Sequence, residues 1–262
     1  MIDRVIGLVG DVHGVYPAAV QAIRRLSERG AHELHFLGDF GFVWDDRRAE
    51  RMALDELQRV LDAAGSRIFV TGGNHENYDL LLAIEPDAGG LRWIRPSIAL
   101  LARGWRDTTP SGRVIASLGG ANSIDRYSRK PGSSWWPREQ IVDSDLAALG
   151  GEPVDILLGH DSPQTETLYL ELLPNERMWS KPGLAYAHAG QAVFHRGFLA
   201  VRPKLAVGGH YHRHIDTTAT FIGCGDEVFT SRIVVLADGG SHDPYLAVLD
   251  TQTLELNTLS ER

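Results

Sequence analysis

Leu8–His13 reads LVGDVH, an apolar run that ends in glycine and then presents Asp11 and His13. The same order recurs as FLGD at Phe36–Asp39, VTGGNHE at Val70–Glu76, LLGH at Leu157–His160 and VGGHYH at Val207–His212. Short apolar runs closed by glycine read as buried strands whose C-terminal ends carry the polar residues. In open α/β sheets that edge is where ligands bind. Five segments far apart in the chain therefore point to one site at a shared edge.

Working outward, strands are expected at Arg4–Gly10, Glu33–Leu37, Arg67–Thr71, Ile98–Leu101, Arg113–Leu118, Val154–Leu158, Lys204–Val207, Arg232–Ala237 and Tyr245–Asp250. Helix-period segments lie between several of them, at Pro17–Arg29, Arg47–Ala64, Pro137–Leu149 and Ala185–Leu199. This alternation implies an α/β fold. After His212 several β-type runs follow without a long helix, which calls for an added antiparallel part. A pair of mixed sheets accommodates that better than one doubly wound sheet. The expectation is one domain over residues 1–262 with a loop insert near 121–137, a stretch rich in Ser, Gly, Arg and Trp.

Composition narrows the function classes. With 262 residues, 43% of them hydrophobic, the chain can bury a substantial core. The opening MIDRVIGLVGD enters a strand without a basic leader region, and no run reaches about 18 uninterrupted apolar residues, so neither secretion nor membrane spanning is expected. The single cysteine, Cys224, cannot form an internal disulfide, which suits a reducing cytoplasm. A net charge of −8 argues against a broad nucleic-acid footprint, which needs a basic face.

Asp11, His13, Asp39, Asn74, His160, His210 and His212 offer carboxylate, amide and imidazole ligands but no thiolate. Such a set suits Mn first, then Fe, Zn, Ni or Co, rather than a structural zinc. Seven ligands exceed the needs of one tetrahedral ion, whereas two ions sharing a carboxylate use them all. A metal pair about 3.5–4 Å apart is a standard device for in-line displacement at phosphorus, so hydrolysis of a phosphate ester follows. Taken alone, Asp-Val-His-Gly is also a plain turn, and Gly-Asn-His-Glu an Asx turn with a capping glutamate. The joint occurrence of all five motifs carries the metal reading.

In these blocks the sequence resembles the calcineurin-like metallophosphoesterases, whose pattern D-x-H, G-D, G-N-H-[D/E], a later H and G-H-x-H it matches in order. The resemblance implies two packed mixed β-sheets flanked by helices, with a dinuclear site at the strand ends. It places Asp11, His13, Asp39 and His212 on one divalent ion, and Asn74, His160, His210 and the bridging Asp39 on the other. It also puts His75 beside the substrate phosphate, stabilising the transition state or protonating the leaving oxygen. Glu76 is the expected orienting partner of His75, with Asp11 as the alternative.

For substrate binding, Asn122, Arg126 and Arg129 are the candidates, because planar guanidinium groups suit bidentate phosphate contact. Trp135 and Trp136 are expected to anchor the loop rather than stack on a base. The expected partner is a small phosphorylated substrate, nucleotides included. A nuclease or end-processing enzyme and a non-catalytic interaction module with this fold are the two alternatives.

Overall fold

In the computed structural model, which describes residues 2–45 and 47–259, Val5–Val9 forms strand β1 and is buried along almost its whole length. In chain order the other strands are β2 (Glu33–Phe36), β3 (Arg67–Val70), β4 (Arg92–Arg95), β5 (Ile98–Leu100), β6 (Trp105–Thr108) and β7 (Val114–Leu118). They continue as β8 (Ile156–Gly159), β9 (Leu205–Gly208), β10 (Ile215–Ile222), β11 (Val228–Val235), β12 (Leu246–Asp250) and β13 (Leu256–Leu259). The helices are α1 (Tyr16–Ser27), α2 (Arg48–Ala64), α3 (Tyr78–Ala83), α4 (Asp143–Leu149), α5 (Glu166–Leu172) and α6 (Lys181–Val201).

Seven strands form one sheet in the order β13-β12-β1-β2-β3-β5-β4, and six form a second in the order β10-β11-β9-β8-β7-β6. Both are mixed. β1, β2, β3 and β5 run parallel, while β12 joins β1 antiparallel, Val5 facing Asp250 and Val9 facing Leu246. In the second sheet β7, β8, β9 and β11 are parallel, and the β10–β11 hairpin supplies the antiparallel part expected after His212.

Side-chain alternation sorts the core into layers. Ile6 and Leu8 face Ile115, Ile156, Leu158, Val207 and Val234 between the sheets. Val9, Leu34, Phe36 and Val70 pack outward against Ala22, Ile23 and Leu26 of α1 and Leu57 and Leu61 of α2. On the far side, Ala116, Leu118 and Leu157 meet Phe194 and Phe198 of α6. The result is the expected pair of mixed sheets flanked by helices. None of the helices among the described residues is long and apolar enough to cross a membrane.

One element differs from the sequence pattern. Pro137–Leu149 is not one helix: a single 3₁₀ turn at Pro137–Glu139 is followed by extended residues, and α4 starts only at Asp143. The break has two causes. Glu139 is drawn inward to bond Ser123, and the Asp145 carboxylate accepts the Val142 N–H at 2.9 Å, fixing the helix start three residues later.

Candidate metal centre

The parallel strands end at one edge. Residues directly after β1, β2, β3, β8 and β9 carry the five motifs, and their polar side chains meet there. The glycine before each one has a steric reason at its clearest positions. A Cβ on Gly73 would collide with the Asp39 carboxylate, one on Gly209 with that of Asp11, and one on Gly38 with the His160 ring. Side chains of neighbouring candidate ligands fill the space these glycines leave empty.

Asp11 and Asp39 sit at the centre, both essentially inaccessible to solvent. Asp11 lies 3.2 Å from His212 Nε2, 3.9 Å from His13 Nε2 and 3.8 Å from His160 Nδ1. Asp39 lies 3.3 Å from His160 Nε2 and 3.8 Å from His13 Nδ1. The Nε2 atoms of His13 and His212 are 2.9 Å apart, and Asn74 Oδ1 stands 2.9 Å from His160 Nε2. His210 packs its ring 4.9 Å from that of His160, while its backbone N–H donates to Asp11 at 3.1 Å. All seven candidate ligands are thus brought together.

The electrostatics call for a cation. Among the described ion pairs these two buried carboxylates face only histidines, with no Lys or Arg on either. Buried charge needs compensation, and with no Lys or Arg in those pairs it falls to a histidine proton or to a bound cation. Burial opposes ionisation of Asp39, yet His160, then His75 and His13, hold its carboxyl well below the usual range. Burial also opposes a charge on His160, but Asp39 and Asp11 lift it to about 10. Burial, reinforced by His160, keeps His210 neutral by pushing it well below the ordinary imidazole value. Asp11, His13 and His212, His13, Asp39 and His75, and Asp11, Asp39 and His160 form three groups whose donors lie within 4.8 Å of one another, an N/O set that fits divalent transition metals. A further preparation is visible at His160, whose Nδ1 faces the Leu37 carbonyl at 2.8 Å, leaving Nε2 to point at the site.

Backbone conformation is also unusual here. His13, Asp39, His210 and His212 have φ of 49°, 46°, 73° and 52°, in the left-handed region. Short tertiary ties hold these turns. His75 N–H donates to Asp39 Oδ1 at 2.7 Å, and His13 N–H to Asp39 O at 2.7 Å.

His75 lies at the rim, its ring 4.9 Å from that of His13. Glu76 does not orient it among the described hydrogen bonds. Its carboxylate instead accepts the Phe40 N–H at 2.8 Å and the Gly41 N–H at 3.4 Å, fastening the loop that follows Asp39. Burial, then Asp39, push Glu76 up to about 8. The ring of His75 is met by Arg129 Nη2, and Arg129 is itself paired with Asp125 at 2.7 Å. Burial and the Arg129 charge lower the His75 pKa.

The other two substrate-binding candidates stand further back. Asn122 is buried and spends its amide N–H on the Tyr186 carbonyl at 2.8 Å. Arg126 lies over Trp135 at 4.3 Å and Tyr186 at 5.2 Å. Trp135 and Trp136 are buried, and Trp136 packs edge-on against Trp44, so both anchor their loop to the body. Sequence reasoning did not single out Ser123 and Glu139. Asn74 Nδ2 donates to Ser123 Oγ at 3.0 Å, and Ser123 Oγ donates to Glu139 Oε2 at 2.6 Å. An acidic residue closely following Trp-Trp-Pro was the available signal, since a carboxylate tied to a buried aromatic anchor is itself drawn inside.

A family model described as calcineurin-like phosphoesterase matches residues 4–214, a span that contains every candidate ligand. The chain belongs to the calcineurin-like phosphoesterase family. As such it is a metal-dependent phosphoesterase, of a family whose centre holds a pair of divalent ions. Solved structures with the same fold include TT1561 of Thermus thermophilus, at 16% identity, with 99% of each chain covered and a TM-score of 0.54. Another is a dimetal phosphatase from Danio rerio, at 13% identity, with 98% of this chain and 99% of that chain covered and a TM-score of 0.51. No curated protein matches the sequence.

Proposed function

We propose that this phosphoesterase hydrolyses small phosphate esters, nucleotides among them, at a dinuclear centre to which Asp39 would contribute the carboxylate shared by both ions. Asp11, His13 and His212 would complete one ion's ligands, and Asn74, His160 and His210 the other's. The carrying observation is that two buried carboxylates meet an amide oxygen and four imidazoles, with no Lys or Arg paired to either carboxylate among the described residues. Manganese is the first choice of ion, because every donor is nitrogen or oxygen. When bound, such a pair supplies Lewis-acid polarisation of the phosphoryl group and the acidity that makes water a nucleophile near neutral pH.

The chain's own groups do the rest. Arg129 brings a guanidinium to the rim, where it holds phosphoryl oxygens in place. His75, whose pKa is lowered by burial and by Arg129, accepts from Arg129 on one ring nitrogen and offers the N–H of the other as a hydrogen bond to the leaving oxygen. Behind Arg129, Arg126 is stacked on Trp135. The acidic overall balance favours small esters over a nucleic-acid strand.

The test uses chelator-stripped protein assayed on bis-p-nitrophenyl phosphate and p-nitrophenyl phosphate, with and without Mn²⁺, Zn²⁺, Ni²⁺ or Co²⁺, beside Asp39→Asn. Metal-restored turnover that vanishes in Asp39→Asn supports the reading, and the preferred ester directs the substrate search. A protein that binds no divalent metal overturns it.

A further inference from the structure

Glu139 never touches a candidate ligand, yet its hydrogen bonds reach one. The side chain is fully buried, and its partners are donors: Ser123 N–H at 2.8 Å, Ser123 O–H at 2.6 Å and Tyr186 O–H at 3.1 Å. Burial raises the Glu139 pKa, but with three donors converging on its two oxygens the side chain serves as acceptor. Ser123 has one hydroxyl proton, and the short bond to Glu139 consumes it. Ser123 Oγ is then left as an acceptor for Asn74, whose Nδ2 lies 3.0 Å away. With its NH₂ group fixed on Ser123, the Asn74 amide must turn Oδ1 the other way, toward His160 Nε2 at 2.9 Å.

We propose that Glu139 is a positioning residue which, by dictating the direction of the Ser123 hydroxyl, fixes the Asn74 amide with its oxygen toward the metal centre. An amide has two nearly isosteric ends, and only the oxygen ligates a cation. Left to itself, Asn74 would present NH₂ about as readily. The segment that follows the 121–137 loop therefore carries the group that sets the polarity of one ligand. Groups behind a ligand typically matter about 10–100-fold in metal affinity. This inference rests on the dinuclear reading given above.

The experiment is a two-step Mn²⁺ titration of the full-length, metal-free protein by calorimetry, with the Mn–Mn coupling followed by electron paramagnetic resonance. Glu139→Gln is the informative variant because it keeps shape and reverses polarity. Its oxygen still accepts the Ser123 N–H, its NH₂ donates to Ser123 Oγ, and the hydroxyl swings to Asn74 and pulls Oδ1 away from the centre. The expected result is a second-ion affinity lower by about 10–100-fold and loss of the coupling signal, with the first ion retained. Ser123→Ala removes the lock without reversing it and should cost less. Ser123→Ala combined with Glu139→Gln should then bind no worse than Ser123→Ala alone.

Wild-type second-ion affinity in Glu139→Gln overturns the proposal, as do losses that simply add in the double variant. If Glu139→Gln is unfolded and binds neither ion, Ser123→Ala carries the test, and wild-type second-ion affinity in it is equally decisive against the proposal. A wild-type protein that binds one ion or none overturns the dinuclear reading itself, an outcome distinct from failure of the relay.

Discussion

Replacing Gly119 with alanine tests whether the meeting of the two sheets sets the site. Gly119 directly follows β7 and Gly72 lies just past β3, and the Gly120 N–H donates to the Gly72 carbonyl at 2.7 Å. A Cβ on Gly119 would stand 2.7 Å from Gly72 O and 2.8 Å from Gly72 N, and both are backbone atoms without a rotamer to yield. Carbon–oxygen contacts settle near 3.3–3.6 Å, so the two segments must part by about 0.6–0.9 Å. Overpacking of this kind costs about 1–3 kcal/mol. For a chain of this size that lowers Tm by about 2–10 °C. The strain is directed along the site, because Asn74 lies two residues past Gly72 and Ser123 four past Gly119. Misplacing a reacting group by about 1 Å can cost about 10²-fold in rate, so a loss of about 10–10² in turnover is expected. The assay is bis-p-nitrophenyl phosphate hydrolysis with Mn²⁺, at a temperature where variant and wild type are equally folded. Gly151→Ala is the control, since a Cβ there meets nothing within 4 Å. Wild-type turnover and stability in Gly119→Ala, or an equal loss in Gly151→Ala, would refute the reasoning.

Other expected outcomes follow from the same geometry. His75→Ala should keep both metals, measured by elemental analysis, yet lose about 10²–10⁴ in kcat. Full turnover in a metal-replete variant removes His75 from the reaction. Removing metal should destabilise the protein: Mn²⁺ at about 100 times its Kd adds about 2.7 kcal/mol per ion, visible as a rise in Tm that Asp39→Asn abolishes. Burial opposes ionisation of Glu33, but His35 at 2.9 Å and Arg67 at 2.7 Å lower its pKa below 4.5. Its contribution is therefore present above about pH 4.5 and lost as pH falls through the lowered folded value. Urea melts of Glu33→Gln should show lower stability at neutral pH, on the order of 3 kcal/mol, and a flatter decline into acid. An unchanged acid limb would assign that sensitivity to other groups.

Much of this molecule was legible in the chain because its information is local. All nine expected strands are present, since each is an apolar run long enough to cross a buried sheet once. The antiparallel edges were harder. β4 and β6 are short and only half-buried, and their Arg and Trp residues give no clear alternation. The candidate ligands were readable because each motif follows its own glycine. What stands behind them was not, because Glu139 reaches Asn74 through Ser123 across separations of 16 and 49 residues. Glu76 shows the opposite error. Adjacency to His75 suggested a pair, but successive side chains leave the backbone in different directions, and the carboxylate serves Phe40 and Gly41 instead.

The left-handed residues at His13, Asp39, His210 and His212 bear on how an ion enters. Outside glycine that conformation costs about 1–2 kcal/mol per residue. Hydrogen bonds across the tight turns, His75 N–H and His13 N–H to Asp39 among them, help hold these residues there. Donors tied by such backbone bonds have little conformational entropy left to surrender on taking up an ion. The same ties oppose the small backbone shifts by which a site follows ionic radius, so selection of cations by size is expected beside selection by ligand chemistry.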